Sequence, residues 1–434
     1  MRTKYIYICI ENSNREILPK LLISTEFLNK NFEIIIGNRQ VLHTILKFLP
    51  KGAVLEKSYG YSLSKIVRDH FKYGHKVYAL DEEALTIASK KQYMRLNYLK
   101  KNEKFLSKFF LSNKKQEEML ISQKADKKKL YLSGTPKFEV YKKKYHRVFD
   151  ESAKLIKKKH GKFILITSRF AHINPNLSEL SDTDKLDPTY LHTSAIIFKK
   201  LISLTKKIAQ KFKNERIIFR PHPSENEKKL KQIFHNYQNV KVVYEGNIAP
   251  WIISSKLLIH NRCSTGLEGL LLNKPVISYD PVDYNSIHDK FFKILGIRCE
   301  TNSKVLEVIK KILKKNITKK ILNNKIFKKY VYLFEKNSPQ KKIVNLIDKE
   351  IKPQNCINLY DKIFLNSIGI KKNVSFNLDY LSGKERAKYQ KQKFGKLNKQ
   401  IIDQHMRLLL DIENRTFNIK IENICREVFL IKKR

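Results

Sequence analysis

Glycine and proline are scarce in this chain, at 13 and 12 of 434 residues. That scarcity excludes collagen-like and Gly/Pro-rich low-complexity architectures. Cysteine is sparse too. Cys9, Cys263, Cys299, Cys356 and Cys425 are scattered, with no CxxC pair. Neither a disulfide framework nor a zinc motif is expected, and a reducing cytoplasm is the default. Long apolar runs are missing. The run over residues 5–10 is short and gives way to Glu11, Arg15 and Glu16, unlike a signal peptide. No stretch approaches the ~18 apolar residues of a spanning helix, so a soluble or peripheral protein is expected. Acid is also in short supply: 41 Asp and Glu face 88 Lys and Arg, a net charge of +47.

What is present is enough to build a core. Hydrophobic residues make up 42% and aromatics 11%, too much for a disordered tail. The length suits two to three domains. The charge admits three readings: a nucleic-acid binder, a protein that meets an anionic surface, or a lysine-biased proteome. Lysine far outnumbers arginine, and Ile and Asn are abundant, as an AT-rich genome would give. The charge is spread along the chain, and no zinc finger, RNP motif or KH-type clamp is seen. No specific nucleic-acid partner is therefore expected. Phosphate-bearing substrates or anionic lipid headgroups fit better.

Short apolar runs alternate with amphipathic, lysine-rich ones over the first 250 residues. The runs fall at residues 4–10, 32–36, 53–55, 76–80, 108–111 and 130–132. Helical spacing appears at 17–29, 41–48 and 63–73. This predicts an α/β fold with parallel sheets and right-handed crossovers. A long basic helix is predicted over 138–159, stopped at His160-Gly161. A second series follows at 162–168, 216–220, 240–244, 256–260 and 275–279, and the polar stretch 171–187 reads as a loop. Past residue 300 the strand signal fades. Residues 303–347 read as basic amphipathic helices, and 350–434 as helices broken by Pro353, Gly369 and Gly383.

Two segments carry chemistry. In the first, Arg220-Pro221-His222-Pro223 follows a strand directly. The prolines fix the turn and hold Arg220 and His222 at a strand's C-terminal end, where open α/β sheets bind ligands. In the second, a strand runs into Cys263-Ser264-Thr265-Gly266, a helix begins, and Glu268 sits one turn in. Backbone N–H groups and hydroxyls at a helix N-terminus bind phosphate or carboxylate. Glu268 could accept from a ribose or a base. Arg220 is read either as offsetting phosphate charge or as pairing with a carboxylate. Candidate general bases are Glu11 and the pair Glu82-Glu83, each after a strand. No metal site is expected, since no DxD-type pair or His cluster stands out.

Taken together, residues 4–300 resemble bacterial surface-carbohydrate biosynthesis proteins, a group similar to GT-B glycosyltransferases that use CMP-activated sugars. The opening YICIENSNREILPKLL, the segments GHKVYALDEEAL and KFILITSRF, and above all RPHPSE followed by CSTGLEGLLLNKPVISYDP carry the resemblance. Sialyltransferases and Kdo transferases share three short signatures. Here Glu82-Glu83 would match their acidic pair, His222-Pro223 the His-Pro, and Ser264-Thr265 the hydroxyl pair. Ala84 stands where the acidic signature has glycine, and Glu11 competes as base. The resemblance implies two Rossmann-like domains facing a cleft: residues 1–160 for the acceptor, 161–300 for the nucleotide sugar, and a basic helical extension over 301–434. It implies metal-independent transfer of a CMP-linked acidic sugar to a glycan or lipid-linked acceptor, at the cytoplasmic membrane face. No cofactor is implied. A CDP-polyol phosphotransferase, a nucleotide-sugar epimerase and a non-enzymatic basic binder of membrane or nucleic acid are the alternatives.

Overall fold

A computed structural model describes residues 2–81, 85, 90–176, 188–282, 289–292, 294–315, 331, 338–395 and 397–434. The chain divides into two compact units, Met1–Val140 with Lys328–Arg434, and Tyr141–Phe327. Each organises around its own sheet.

The first unit begins with six parallel strands: β1 (Arg2–Ile10), β2 (Phe32–Asn38), β3 (Ala53–Glu56), β4 (Lys76–Leu80), β5 (Leu106–Leu111) and β6 (Leu130–Leu132). Their order is β2-β1-β3-β4-β5-β6. In β1 every residue from Tyr5 to Ile10 is buried. A strand covered on both faces reads as a continuous apolar run, which is why these segments were visible in the sequence. The direction of sequential pairing reverses between β1 and β3, so their C-terminal ends open a crevice.

The second unit carries β7 (Phe163–Thr167), β8 (Arg216–Arg220), β9 (Val240–Val242), β10 (Ser255–His260), β11 (Val276–Tyr279) and β12 (Ile297–Cys299). All are parallel, in the order β9-β8-β7-β10-β11-β12. This is the Rossmann order, in which the first strand is flanked by the second and the fourth. Helix Pro188–Lys211 covers one face through Ile197, Leu201, Leu204 and Ile208, all fully buried.

The chain then returns to the first unit. Helix Pro339–Glu350 is tied to that sheet by Tyr78 Oη donating to Glu350 (2.7 Å) and by Lys4 on Asp348 (2.7 Å). The two-residue β13 (Gln354–Asn355) pairs with β1. The hairpin β14 (Ile419–Cys425) and β15 (Val428–Lys433) adds antiparallel to β2.

Several expectations are corrected here. The domain division does not run 1–160, 161–300 and 301–434: residues 141–160 group with the second unit, and the C-terminal segment completes the first. The long basic helix over 138–159 is instead a short helix Pro136–Glu139, a 3-10 stretch Lys143–Phe149 and a helix Asp150–His160. Asp150 and Glu151 in its first turn complement the helix dipole and mark the true start. Gly161, at φ 66°, ends it as expected. Gly369 does not break a helix. It lies inside Leu359–Leu381, where a Cβ would come within 2.3 Å of Cys425 Cβ, so it lets the helix close onto β14.

Gly37 on β2 has a similar role. A Cβ there would fall 2.1 Å from the Glu427 carbonyl oxygen and 2.6 Å from Val428 Cα. Gly37→Ala is expected to cost about 1–3 kcal/mol through overpacking and to expose the C-terminal hairpin to trypsin before the rest of the unit. Urea unfolding with limited proteolysis checks this; unchanged stability and cleavage would show that the hairpin adapts.

Candidate functional site

The second sheet concentrates polar side chains at one edge. The C-terminal ends of β8, β7 and β10 lie side by side, with Thr167 in register with Arg220 and Ile166 with Ile259. Beyond these ends come Ser168-Arg169, Pro221-His222 and Asn261-Arg262-Cys263. Sequential neighbours diverge between β7 and β10, and a ligand crevice belongs at that point. Two hydroxyls meet across it, Thr167 Oγ1 and Thr265 Oγ1, 3.0 Å apart.

Helix Ser264–Leu271 starts at this crevice. Its N-cap is Cys263, whose side chain makes no capping hydrogen bond. Among the described residues, no backbone group accepts from the N–H of Ser264 or Thr265, while Gly266 N–H reaches Cys263 O (3.1 Å). Ser264 and Thr265 are part-exposed. Uncapped first-turn N–H groups carry the positive end of the helix dipole.

The turn into this helix is held from below. His260 is fully buried; its Nδ1 accepts from Cys263 N–H (3.2 Å) and its Nε2 donates to Leu295 O (2.8 Å). Burial pushes this imidazole down to about 4, so it is neutral at physiological pH. Gly266 lies on that ring: a Cβ would sit 2.3 Å from Nε2. The glycine is thus required by contact with His260, a reason the sequence did not disclose. Arg262 takes a left-handed backbone (φ 42°), uncommon outside glycine. Its Nε donates to Asp280 Oδ1 (2.7 Å) in a pair only 3% and 2% exposed. Removing one partner of such a pair leaves a buried charge, so the turn is rigid. Glu268 is buried one turn in.

On the other side of β7, His222 is half-buried. Its Nδ1 accepts from Ser224 N–H (3.2 Å), which places the neutral ring's proton on Nε2. Pro223 is buried beside it. Glu225 underlies the turn, accepting from His222 N–H (2.6 Å) and Ser168 Oγ (2.7 Å). Asn226 N–H bonds Asn174 O and Asn176 N–H bonds Ser224 O (2.9 Å each), clamping the two loops together. Arg220 faces elsewhere. Its Nη1 donates to Glu245 O (2.8 Å) and Nη2 to Gly246 O (2.6 Å), with the Tyr244 ring 5.0 Å away. Two backbone carbonyl groups hold these nitrogens on the loop after β9.

The structure therefore brings His222, Pro223, Ser264, Thr265 and Gly266 to one edge, and turns Arg220 to a neighbouring loop. Glu82 and Glu83 lie outside the described residues. Glu11, at the end of β1 in the first unit, is engaged by Lys57 (2.6 Å) and Arg39 (3.3 Å). Thr167, Ser168, Glu225, Arg262 and Asp280 were not singled out from sequence. Their signal was position: Thr167-Ser168 and Asp280 each end an apolar run.

No protein-family model matches this chain, and no curated protein does. Solved structures do. The Methanocaldococcus jannaschii UDP-GlcNAc 2-epimerase in complex with UDP-GlcNAc and UDP is 13% identical, with a TM-score of 0.52 over 80% of this chain and 99% of that one. S. aureus MnaA bound to UDP is 11% identical, TM-score 0.52, over 80% and 97%. At this identity the likeness is one of fold. The chain is α/β with two Rossmann-like domains of GT-B-like type.

Burial raises the Glu225 carboxyl from its ordinary 4.5 to about 7 despite three hydrogen-bond donors. Between those values the folded chain holds a proton that the unfolded chain releases. The contribution of Glu225 to stability is thus full below about 4.5 and is lost as pH rises through 7. Relative to Glu225→Gln, the wild type should lose roughly 2–3 kcal/mol between about pH 5 and 8. Urea unfolding across that range reads it; a difference independent of pH would overturn the assignment.

Proposed function

We propose that this chain is an enzyme of surface-carbohydrate biosynthesis that acts on a nucleotide-activated sugar, the second unit holding the nucleotide's phosphate. The observation that carries the reading is the hydroxyl pair Thr167 and Thr265, set beside an uncapped helix N-terminus at the strand reversal. In this reading Ser264 and Thr265 donate to the phosphate through hydroxyl and backbone groups. His222 donates from Nε2. Gly266 lets the helix start press on His260, and Glu268 serves the ribose or base. Fixed donors and the helix dipole offset the charge of the departing phosphate, with no cation and no organic cofactor needed.

Glycosyl transfer to a glycan or lipid-linked hydroxyl is the reaction we favour, with Glu83, Glu82 or Glu11 as base. Epimerisation of a nucleotide sugar is the second reading, supported by the fold shared with UDP-GlcNAc 2-epimerases. The donor nucleotide is a pyrimidine. The His222-Pro223 and Ser264-Thr265 signatures point to CMP, and the UDP held by proteins of like fold points to UDP.

Thermal shift against CMP, CDP, UDP, GDP and ADP in EDTA tests this. A pyrimidine nucleotide should stabilise the chain. Thr265→Val and His222→Ala should each weaken binding at least about tenfold, the worth of one charge-assisted hydrogen bond. Conversion of a UDP-sugar without an acceptor would favour epimerisation. No shift with any nucleotide would reduce the site to a helix start.

We further propose that the protein works at the cytoplasmic membrane face. Among the described residues no helix is long and apolar enough to cross a membrane. Helix Leu359–Leu381, however, exposes Tyr360, Ile363, Ile370, Val374, Leu378 and Leu381 at helical spacing, each by more than half. Such a stripe on a strongly basic chain suits an anionic bilayer surface. Co-sedimentation with phosphatidylglycerol vesicles, but not phosphatidylcholine vesicles, is expected, with loss in Ile370→Asp/Leu378→Asp; no sedimentation would remove this assignment.

A further inference from the structure

The first unit holds a second cluster, apart from the His222 and Ser264-Thr265 site of the second unit. It sits at the C-terminal edge of that sheet, beside the β1/β3 reversal. Cys9 comes from the end of β1 and Glu56 from the last position of β3. His43 comes from helix Arg39–Ile45, and His70 from helix Ser64–Lys72.

Glu56 Oε1 is the hub. It lies 2.6 Å from His43 Nε2, 3.2 Å from Cys9 Sγ and 3.6 Å from His70 Nε2. Donor atoms of Cys9, His43 and Glu56 all lie within 4.8 Å of one another. The site is dry: Cys9 is 2% exposed, and Glu56 and His70 are 1% each. The His43 side chain, at 10%, marks the side nearest solvent.

Hydrogen bonding does not satisfy this cluster. Glu56 Oε2 and both ring nitrogens of His70 are buried with no hydrogen-bond partner. Each such atom costs about 1–3 kcal/mol if nothing fills its need. The Glu56 carboxylate and one of the His70 nitrogens thus have capacity left for a ligand beside the Oε1 hub, and the donor chemistry says which. One sulfur, two imidazole nitrogens and one carboxylate oxygen are the donors of a borderline-soft transition-metal ion. Magnesium and calcium take oxygen shells instead. The spacing agrees. Donors around tetrahedral zinc stand at roughly 2.0–2.3 Å from the ion, which puts neighbouring donors about 3.4 Å apart. The Sγ–Oε1 and His70–Glu56 separations are within a few tenths of an ångström of that. The His43–Glu56 separation would open as an ion takes the place of their hydrogen bond.

We propose that Cys9, His43, Glu56 and His70 form a four-ligand site for Zn²⁺ or an ion of the same class. With thiolate and carboxylate both ionised, the shell carries two negative charges and exactly offsets a divalent cation; binding releases the thiol proton to solvent. Four protein donors make the site structural in type. It staples two adjacent strands to the two helices that follow β2 and β3. It takes no part in the phosphate chemistry of the second unit, so it stands or falls apart from the proposed function.

The test uses the full chain. Purified protein, desalted after growth with zinc, is assayed for metal by mass spectrometry. It is then stripped with chelator and refilled with Co²⁺. One zinc per chain is expected. The cobalt form should show the intense visible bands of a tetrahedral ion and a thiolate charge-transfer band. Cys9→Ser should lose the charge-transfer band, His70→Gln should weaken the visible bands, and Cys356→Ser should change neither. Should Cys9→Ser not fold, the wild-type cobalt spectrum still decides. A folded wild type that holds no zinc and gives no cobalt bands, or a charge-transfer band that survives Cys9→Ser, would overturn the proposal.

Discussion

Everything in the second unit hangs on the parallel pairing of β7 between β8 and β10. Both faces of β7 are buried, so its backbone has nowhere to send its hydrogen bonds except to those two neighbours. Parallel pairing brings every C-terminal end to one edge. The reversal in strand order then forces the loops after β7 and β10 to leave on diverging paths. The polar residues at that edge are a consequence of topology: the loops must start there, and water or a ligand must satisfy what they expose.

Rigid support lies directly beneath. Neutral His260 bridges the turn and a distant carbonyl, Arg262 is locked on Asp280, and Glu225 gathers the His222 turn. These groups do not face a ligand themselves. They restrict the backbone so that the Ser264–Thr265 helix start and His222 hold their positions without reorganising when charge arrives. Burial sets their protonation: imidazole pushed down, carboxyl pushed up.

Much of the fold was legible in the sequence, because doubly buried parallel strands announce themselves as apolar runs. The C-terminal hairpin was not. Its turn is Arg426-Glu427, with Glu427 left-handed at φ 54° in place of the usual glycine or asparagine, and lysines mask the alternation. Gly369 misled for a physical reason: glycine serves close packing as well as chain breaking, and only the presence of Cys425 opposite it tells the two apart. At the site, short motifs located the helix start and the His-Pro turn. Side chains that act from beneath, such as Glu225 and Asp280, carry no motif. The cluster of Cys9, His43, Glu56 and His70 is drawn from four separate segments with no ligand spacing between them, so it becomes visible only once the sheet is folded.

The return of the chain to the first unit bears on its synthesis. β2 is paired on one side by β1 and on the other by β15, which comes almost four hundred residues later. Until β15 emerges, that edge of β2 presents unpaired N–H and C=O groups. The second unit, Tyr141–Phe327, is continuous and is complete well before then. The first unit is thus begun before the second and completed after it, and its open edge is exposed to wrong partners while the second is made. β15 itself ends in Lys432-Lys433, and charge on a strand of this kind disfavours edge-to-edge pairing with other chains.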